Sequence, residues 1–139
     1  MTARRSILIV ASLVLSLVAA QPAGAALASR RFETPSGNIS CHLPKGGALR
    51  CDIYSGLNPE PEKECELDWT GLLLSRRHTA RPNCAGDTVP QTNRVLEYGA
   101  KWKRGGRVCV SKRTGLHCWN EAGYHFKLAR DGWRRWHEG

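Results

Sequence analysis

Arg107-Val108-Cys109-Val110-Ser111-Lys112-Arg113-Thr114-Gly115-Leu116-His117-Cys118-Trp119-Asn120 reads as two short strands joined by a turn. Cys109 and Cys118 bracket Lys112-Arg113-Thr114-Gly115, and a glycine-containing turn between two such runs is a hairpin signal. Facing positions on antiparallel strands bring Cα atoms within disulfide range. The stretch therefore predicts a hairpin pinned by Cys109–Cys118. A second stretch has the same design. Cys41 and Cys51 bracket Pro44-Lys45-Gly46-Gly47, which predicts Cys41–Cys51. Gly47-Ala48-Leu49-Arg50-Cys51 matches Gly115-Leu116-His117-Cys118, with a leucine two residues before each cysteine. An ancestral duplication would explain the likeness, and so would the common pattern of small disulfide hairpins.

Working outward, Ile39, Cys41 and Leu43 alternate with Ser40 and His42. Leu49, Cys51 and Ile53 alternate with Arg50, Asp52 and Tyr54. A period of two marks a half-buried strand. Glu66 to Leu74 is ambiguous, because Leu67, Trp69, Leu72 and Leu73 would also line a helix. Gly71 in its middle favours a strand. Arg76-Arg77-His78 is then an exposed turn, and Thr79 to Cys84 returns as a partner confined to an edge by Pro82. Leu96 to Trp102, Arg107 to Ser111, Leu116 to Asn120 and Tyr124 to Leu128 are the remaining strand candidates, with a turn at Gly105-Gly106. Many short strands at regular spacing indicate an all-β fold, a small disulfide-stapled sandwich or partly open barrel built from hairpins. Local pairing of four cysteines leaves Cys65–Cys84. A crossed pattern, with cysteines of neighbouring strands meeting, is the alternative.

The first 25 residues have the form of an export signal. Arg4 and Arg5 precede an uncharged run from Ser6 to Ala20, followed by Ala23-Gly24-Ala25, with Val18-Ala19-Ala20 as a second cleavage option. The apolar run is short of the roughly 20 residues that span a bilayer. Cleavage would leave 26–139 as a single secreted β-domain of 114 residues. The signal takes two of 21 basic residues and none of 12 acidic ones, so the remainder carries +7. A domain of this size has a small core, and disulfides formed in an oxidising compartment compensate. The expected location is secreted or periplasmic. No C-x-x-C or zinc-type spacing is present, so neither a metal nor a cofactor is expected.

Phe32-Glu33-Thr34-Pro35-Ser36-Gly37-Asn38-Ile39-Ser40-Cys41 resembles the opening of DUF6636, a family of small exported bacterial proteins of unknown function. The likeness continues through Arg50-Cys51-Asp52-Ile53, Asp68-Trp69, Cys84-Ala85-Gly86-Asp87-Thr88-Val89 and Leu96-Glu97-Tyr98-Gly99. It ends with Thr114-Gly115-Leu116-His117-Cys118-Trp119-Asn120 and Gly123-Tyr124-His125-Phe126-Lys127-Leu128-Ala129-Arg130. It departs at Thr70, where the family favours glycine, and at Tyr124-His125, where a glycine tends to precede the phenylalanine. The resemblance implies a fold and export but no activity. Physically, Thr34-Pro35-Ser36-Gly37-Asn38 is a turn, and Asp87 is expected to bond backbone amides in a second turn at Ala85-Gly86-Asp87-Thr88.

The chemistry-bearing residues form no catalytic motif. His42, His78, His117, His125 and His137 include no metal pair. His117 and His125 fall on neighbouring strand candidates, where Asp68 or Asp87 would complete an acid–base set. Every cysteine is assigned to a disulfide, so no thiol nucleophile is expected. Charge is the stronger signal. Residues 101–136 hold ten basic residues against Glu121 and Asp131, with Trp102, Trp119, Tyr124, Trp133 and Trp136 interleaved. Candidate ligand-binding residues are Lys101, Trp102, Lys103, Arg104, Arg107, Lys112, Arg113, Trp119, Tyr124 and Arg130. A basic face with aromatic platforms suits polyanions. The plain reading is that the tryptophans are core and the charges a solvated face. Export makes nucleic acid a poor natural target. Anionic envelope polymer, a membrane surface or an acidic protein fits better. The leading expectation is a non-catalytic extracytoplasmic binding module. The alternatives are a small ribonuclease-like hydrolase and an inhibitor presenting Lys112-Arg113-Thr114.

Overall fold

A computed structural model describes residues 29–139. The expected signal, residues 1–25, lies outside the described residues. Among the described residues, ten strands form two sheets. The first sheet contains β1 Arg31–Glu33, β2 Ile39–His42, β3 Leu49–Ile53, β4 Asp68–Leu74 and β5 Arg81–Ala85. The second contains β6 Lys101–Arg104, β7 Arg107–Lys112, β8 Gly115–Asn120, β9 Tyr124–Ala129 and β10 Gly132–His137. Each is an antiparallel meander in chain order, and both are open. The sandwich form of the expected fold is therefore the observed one.

The alternation read from sequence decides which side chains turn inward. Cys41, Leu49, Cys51, Leu72 and Leu74 from the first sheet join Trp102, Cys109, Leu116, Cys118, Phe126 and Leu128 from the second in one core. Phe32 meets Trp102 across the sheets with ring centroids 5.0 Å apart. Full burial of one such large side chain contributes roughly 1.5–3 kcal/mol. Arg107 stitches the layers together, donating to the carbonyls of Leu74, Gly105 and Gly47.

The disulfides pair as spacing indicates: Cys41–Cys51, Cys65–Cys84 and Cys109–Cys118. The two hairpin disulfides join directly opposed residues with Cα atoms 4.1 Å apart, close to the spacing of a non-hydrogen-bonded pair. Glu66 to Leu74 does contain a strand. Gly71 faces Asp52 on β3 so closely that a Cβ would overlap the Cys51 carbonyl oxygen.

Three expectations change. The strand placed at Leu96 to Trp102 starts at Lys101, because Leu96 donates its amide to Glu33 in a parallel bridge beside β1 and the chain turns at Tyr98-Gly99. β1 and β10 were not among the strand candidates. β1 is only three residues long, and Arg134-Arg135 interrupts the apolar alternation of β10. Asp87 does not cap its own turn. Its carboxylate is 78% exposed and pairs with Arg50 at 3.1 Å.

The carboxylate holding that turn is the fully buried Asp52, which accepts from the Val89 amide, Thr70 Oγ1 and the Arg50 guanidinium. Arg50 also donates to the Asp87 carbonyl, and Tyr54 Oη donates to the Val89 carbonyl. Farther along, the Glu33 carboxylate accepts from the Thr92 amide. Residues 86–96 are thereby strapped across the outer face of the first sheet and along its β1 edge.

Candidate functional site

Among the described residues, the second sheet has no such strap. Strand pleating sends Lys101, Lys103, His117, Trp119, His125, Lys127, Arg134 and Trp136 to its outer face, opposite the core. The register lines them up in two rows across the strands. One row runs Lys101, Val110, His117, Lys127, Arg134. The adjacent row runs Lys103, Val108, Trp119, His125, Trp136. Five strands at about 4.8 Å spacing make each row about 19 Å long.

The rings stand against one another. Trp119 and His125 stack with planes 17° apart, His125 and Trp136 at 19°, and His117 and Trp136 at 27°. Cations cover the outer ring faces. The Arg134 guanidinium lies 4.7 Å from the Trp136 ring centre, and Lys101 Nζ lies 6.0 Å from that of Trp119. The aromatic residues therefore seat cations instead of offering bare platforms, which revises the role expected of them.

His117 and His125 do meet, with Nε2 of the first 3.1 Å from Nδ1 of the second. The carboxylate beside them is neither Asp68 nor Asp87 but Glu138, whose Oε2 is 3.6 Å from His125 Nε2. Glu138 attracts the Nε2 proton of His125. His125 Nδ1 is then the acceptor, His117 Nε2 donates to it, and His117 Nδ1 carries a lone pair. Burial, reinforced by the charges of His125, Lys112 and Arg134, pushes His117 below the ordinary histidine value. The Trp136 indole N–H donates to Glu138 at 2.8 Å and, with His125, holds that carboxyl below its ordinary value.

At the turn end of the β7–β8 hairpin, two concavities open beside these rows. One, of about 280 Å³, is lined by Lys112, Thr114, Gly115, His117, Lys127, Arg134 and Trp136. The other, of about 580 Å³, reaches the Thr34–Asn38 turn and adds Tyr98, Arg113, Arg130 and Asp131. Lys112, Thr114, Gly115 and Lys127 line both.

The candidate residues separate by position. Lys101, Lys103 and Trp119 belong to the outer face. Lys112, Arg113 and Arg130 line the larger concavity, where Arg113 stacks 4.7 Å from the Tyr98 ring centre. Trp102 is fully buried, with its indole donating to the Ser29 carbonyl, and Arg107 is buried between the sheets. Arg104 is half-buried at the end of β6. Tyr124 packs against the core and His137. Tyr98, Lys127, Arg134 and Trp136 are site-lining residues that the candidate set omitted. A parity count along β9 and β10 would have found Lys127, Arg134 and Trp136, had β10 been recognised.

The family described as "Family of unknown function (DUF6636)" matches residues 10–135. The chain belongs to this family. No curated protein and no solved structure matches it. The family contributes no residue roles, so the chemistry of the DUF6636 site rests on its geometry. Among the described residues, no group of histidine, cysteine, aspartate and glutamate side chains is arranged to hold a metal ion. No helix among them is long and apolar enough to cross a membrane.

Proposed function

We propose that this protein is an exported, extracytoplasmic binding module that holds anionic envelope material on the outer face of its second sheet. The signal-like first 25 residues and the three disulfides support export. One observation carries the binding reading. Lys101, Lys127 and Arg134 share a cross-strand row, and none of them makes an ion pair with an acidic side chain among the described residues. Cations that fold stability requires are normally paired or buried, like Arg50 and Arg107 here. Exposed or half-buried cations arranged in a row, without acidic partners, create a positive potential for a polyanion.

Salt-gradient elution of the oxidised protein from immobilised envelope polymer tests this reading. Release over a few hundred millimolar salt is expected, earlier for Lys127→Gln and Arg134→Gln than for wild type. Retention unaffected by either substitution would remove the proposal.

A second reading is supported by the Glu138–His125–His117 chain, which resembles a general-base relay opening onto the smaller concavity. It requires product formation from an anionic polymer, abolished in His117→Ala and His125→Ala proteins that remain folded. An inhibitory loop gains less support, because the Arg113 guanidinium is engaged on the Tyr98 ring, 4.7 Å from its centre.

A further inference from the structure

The two concavities at the end of the β7–β8 hairpin adjoin through four shared lining residues, Lys112, Thr114, Gly115 and Lys127, and can be taken as two basic lobes of one groove. Gly115 lines both. There φ is +127°, and a Cβ would press on Ala129 Cβ and the Leu128 carbonyl, each 2.7 Å away. Only glycine lets the hairpin lie this close to β9, because a side chain there would drive into that strand. Each lobe has cations that the other lacks, Arg134 in the smaller and Arg113 with Arg130 in the larger. Lys112 and Lys127 stand at the junction. Among the described residues, Asp131 is the only acidic one lining either lobe.

Two features define the chemistry of an occupant. In the smaller lobe, Lys112, Lys127 and Arg134 bring cationic donors from three different strands. Donors converging from several directions suit a tetrahedral oxyanion with several acceptor oxygens better than a planar carboxylate. Moreover, the rings of His117, Trp119, His125 and Trp136 are stacked on one another or covered by Arg134 and Lys101, and Arg113 takes one face of Tyr98. Single-stranded nucleic acid needs free ring faces for its bases. A chain without bases does not.

We propose that the groove binds a linear phosphodiester-linked polyol or sugar chain, with one phosphate in each lobe and the linking unit crossing Gly115. This inference rests on the polyanion-binding function proposed above and narrows it to one ligand class and one site.

The test is titration of the oxidised protein, at fixed pH and several salt concentrations, with glycerol phosphate, poly(glycerol phosphate), polygalacturonate and oligodeoxythymidylate. Poly(glycerol phosphate) should bind at least tenfold tighter than polygalacturonate or oligodeoxythymidylate of equal charge, and at least a hundredfold tighter than the monomer. Arg134→Gln and Arg130→Gln alter opposite lobes, and both side chains are exposed, so folding should persist. Each should weaken the polymer three- to tenfold and reduce the salt slope by about 0.7–0.9. Thr114→Trp, which fills the junction at an exposed turn position, should bring polymer affinity down toward that of the monomer.

Equal binding of polygalacturonate would overturn the phosphate assignment and leave the general polyanion reading standing. Equal binding of oligodeoxythymidylate would overturn it in favour of nucleic acid. Binding of the monomer as tightly as the polymer would overturn the two-lobed groove. Failure of every chain to bind would overturn this proposal together with the function on which it rests.

Discussion

The two sheets are alike in plan and opposite in finish. Each is a five-stranded antiparallel meander, and each carries a disulfide between directly opposed residues of its second and third strands. The first sheet has the core within, and residues 86–96 cross its outer face, anchored on β1 and β3. Its outer face holds a buried carboxylate, Asp52, whose bonds are all internal. The second sheet has the same core contact but an uncovered outer face, with two rows of cations and rings. The covering strap, more than the scaffold, therefore decides which face is available for binding.

The largest expected effect comes from releasing the strap. Asp52→Ala leaves the Val89 amide without an acceptor and removes the carboxylate beside Arg50, and should cost about 4 kcal/mol, the scale for breaking a buried ion pair. Urea unfolding measures that loss, and faster amide exchange at Val89 locates it. A loss under about 1 kcal/mol would mean that the strap is held by something other than Asp52, on the scale of exposed ion pairs.

Replacing Cys41 and Cys51 together by alanine, or Cys109 and Cys118 together, should cost about 3 kcal/mol in each case from loop entropy. Equal losses would support equivalent roles in the two sheets. A much larger loss for one pair would break the symmetry and identify the sheet that depends more on its cross-link.

Arg107→Met separates structural cations from binding ones. It strips donors from three carbonyls and should cost about 2 kcal/mol, with salt-dependent adsorption unchanged in the folded fraction. Arg134→Gln should do the reverse, altering stability by no more than about 0.5 kcal/mol while weakening adsorption.

The smallest effect concerns pH. Burial depresses His117, so the unfolded chain takes up its proton at a higher pH than the folded one. Stability is fully present above the unfolded value, near 6.5, and falls as pH drops through the depressed folded value. His117→Gln should flatten that part of the stability–pH curve, as read by thermal melts across a pH series. An unchanged slope would assign the acid sensitivity to another group.

Much of the fold was legible because its signals are local. Alternation at Ile39–Leu43 and Leu49–Ile53, the glycine turns and the cysteine spacing all act over a few residues, and they pointed to strands, hairpins and disulfides that the structure contains. β10 was not legible, because its two tryptophans serve opposite faces. Trp133 turns toward the core beside Leu128, whereas Trp136 turns outward beside His125. The candidate site was legible only in part. Lys112, Arg113 and Arg130 do line one groove, but Trp102 and Arg107 carry the same residue types and lie inside.

Sequence by itself determined the all-β class, the even set of six cysteines with local pairing favoured over a crossed pattern, and the excess of positive charge, since each follows from residue type and short-range spacing. Tertiary structure alone decided that Asp52 and not Asp87 anchors the strap, that Glu138 joins the paired histidines, and that the cations align in a row. Those relations depend on strand register and on contacts between distant segments. Shifting a strand by one residue exchanges its faces, and composition carries no trace of that choice.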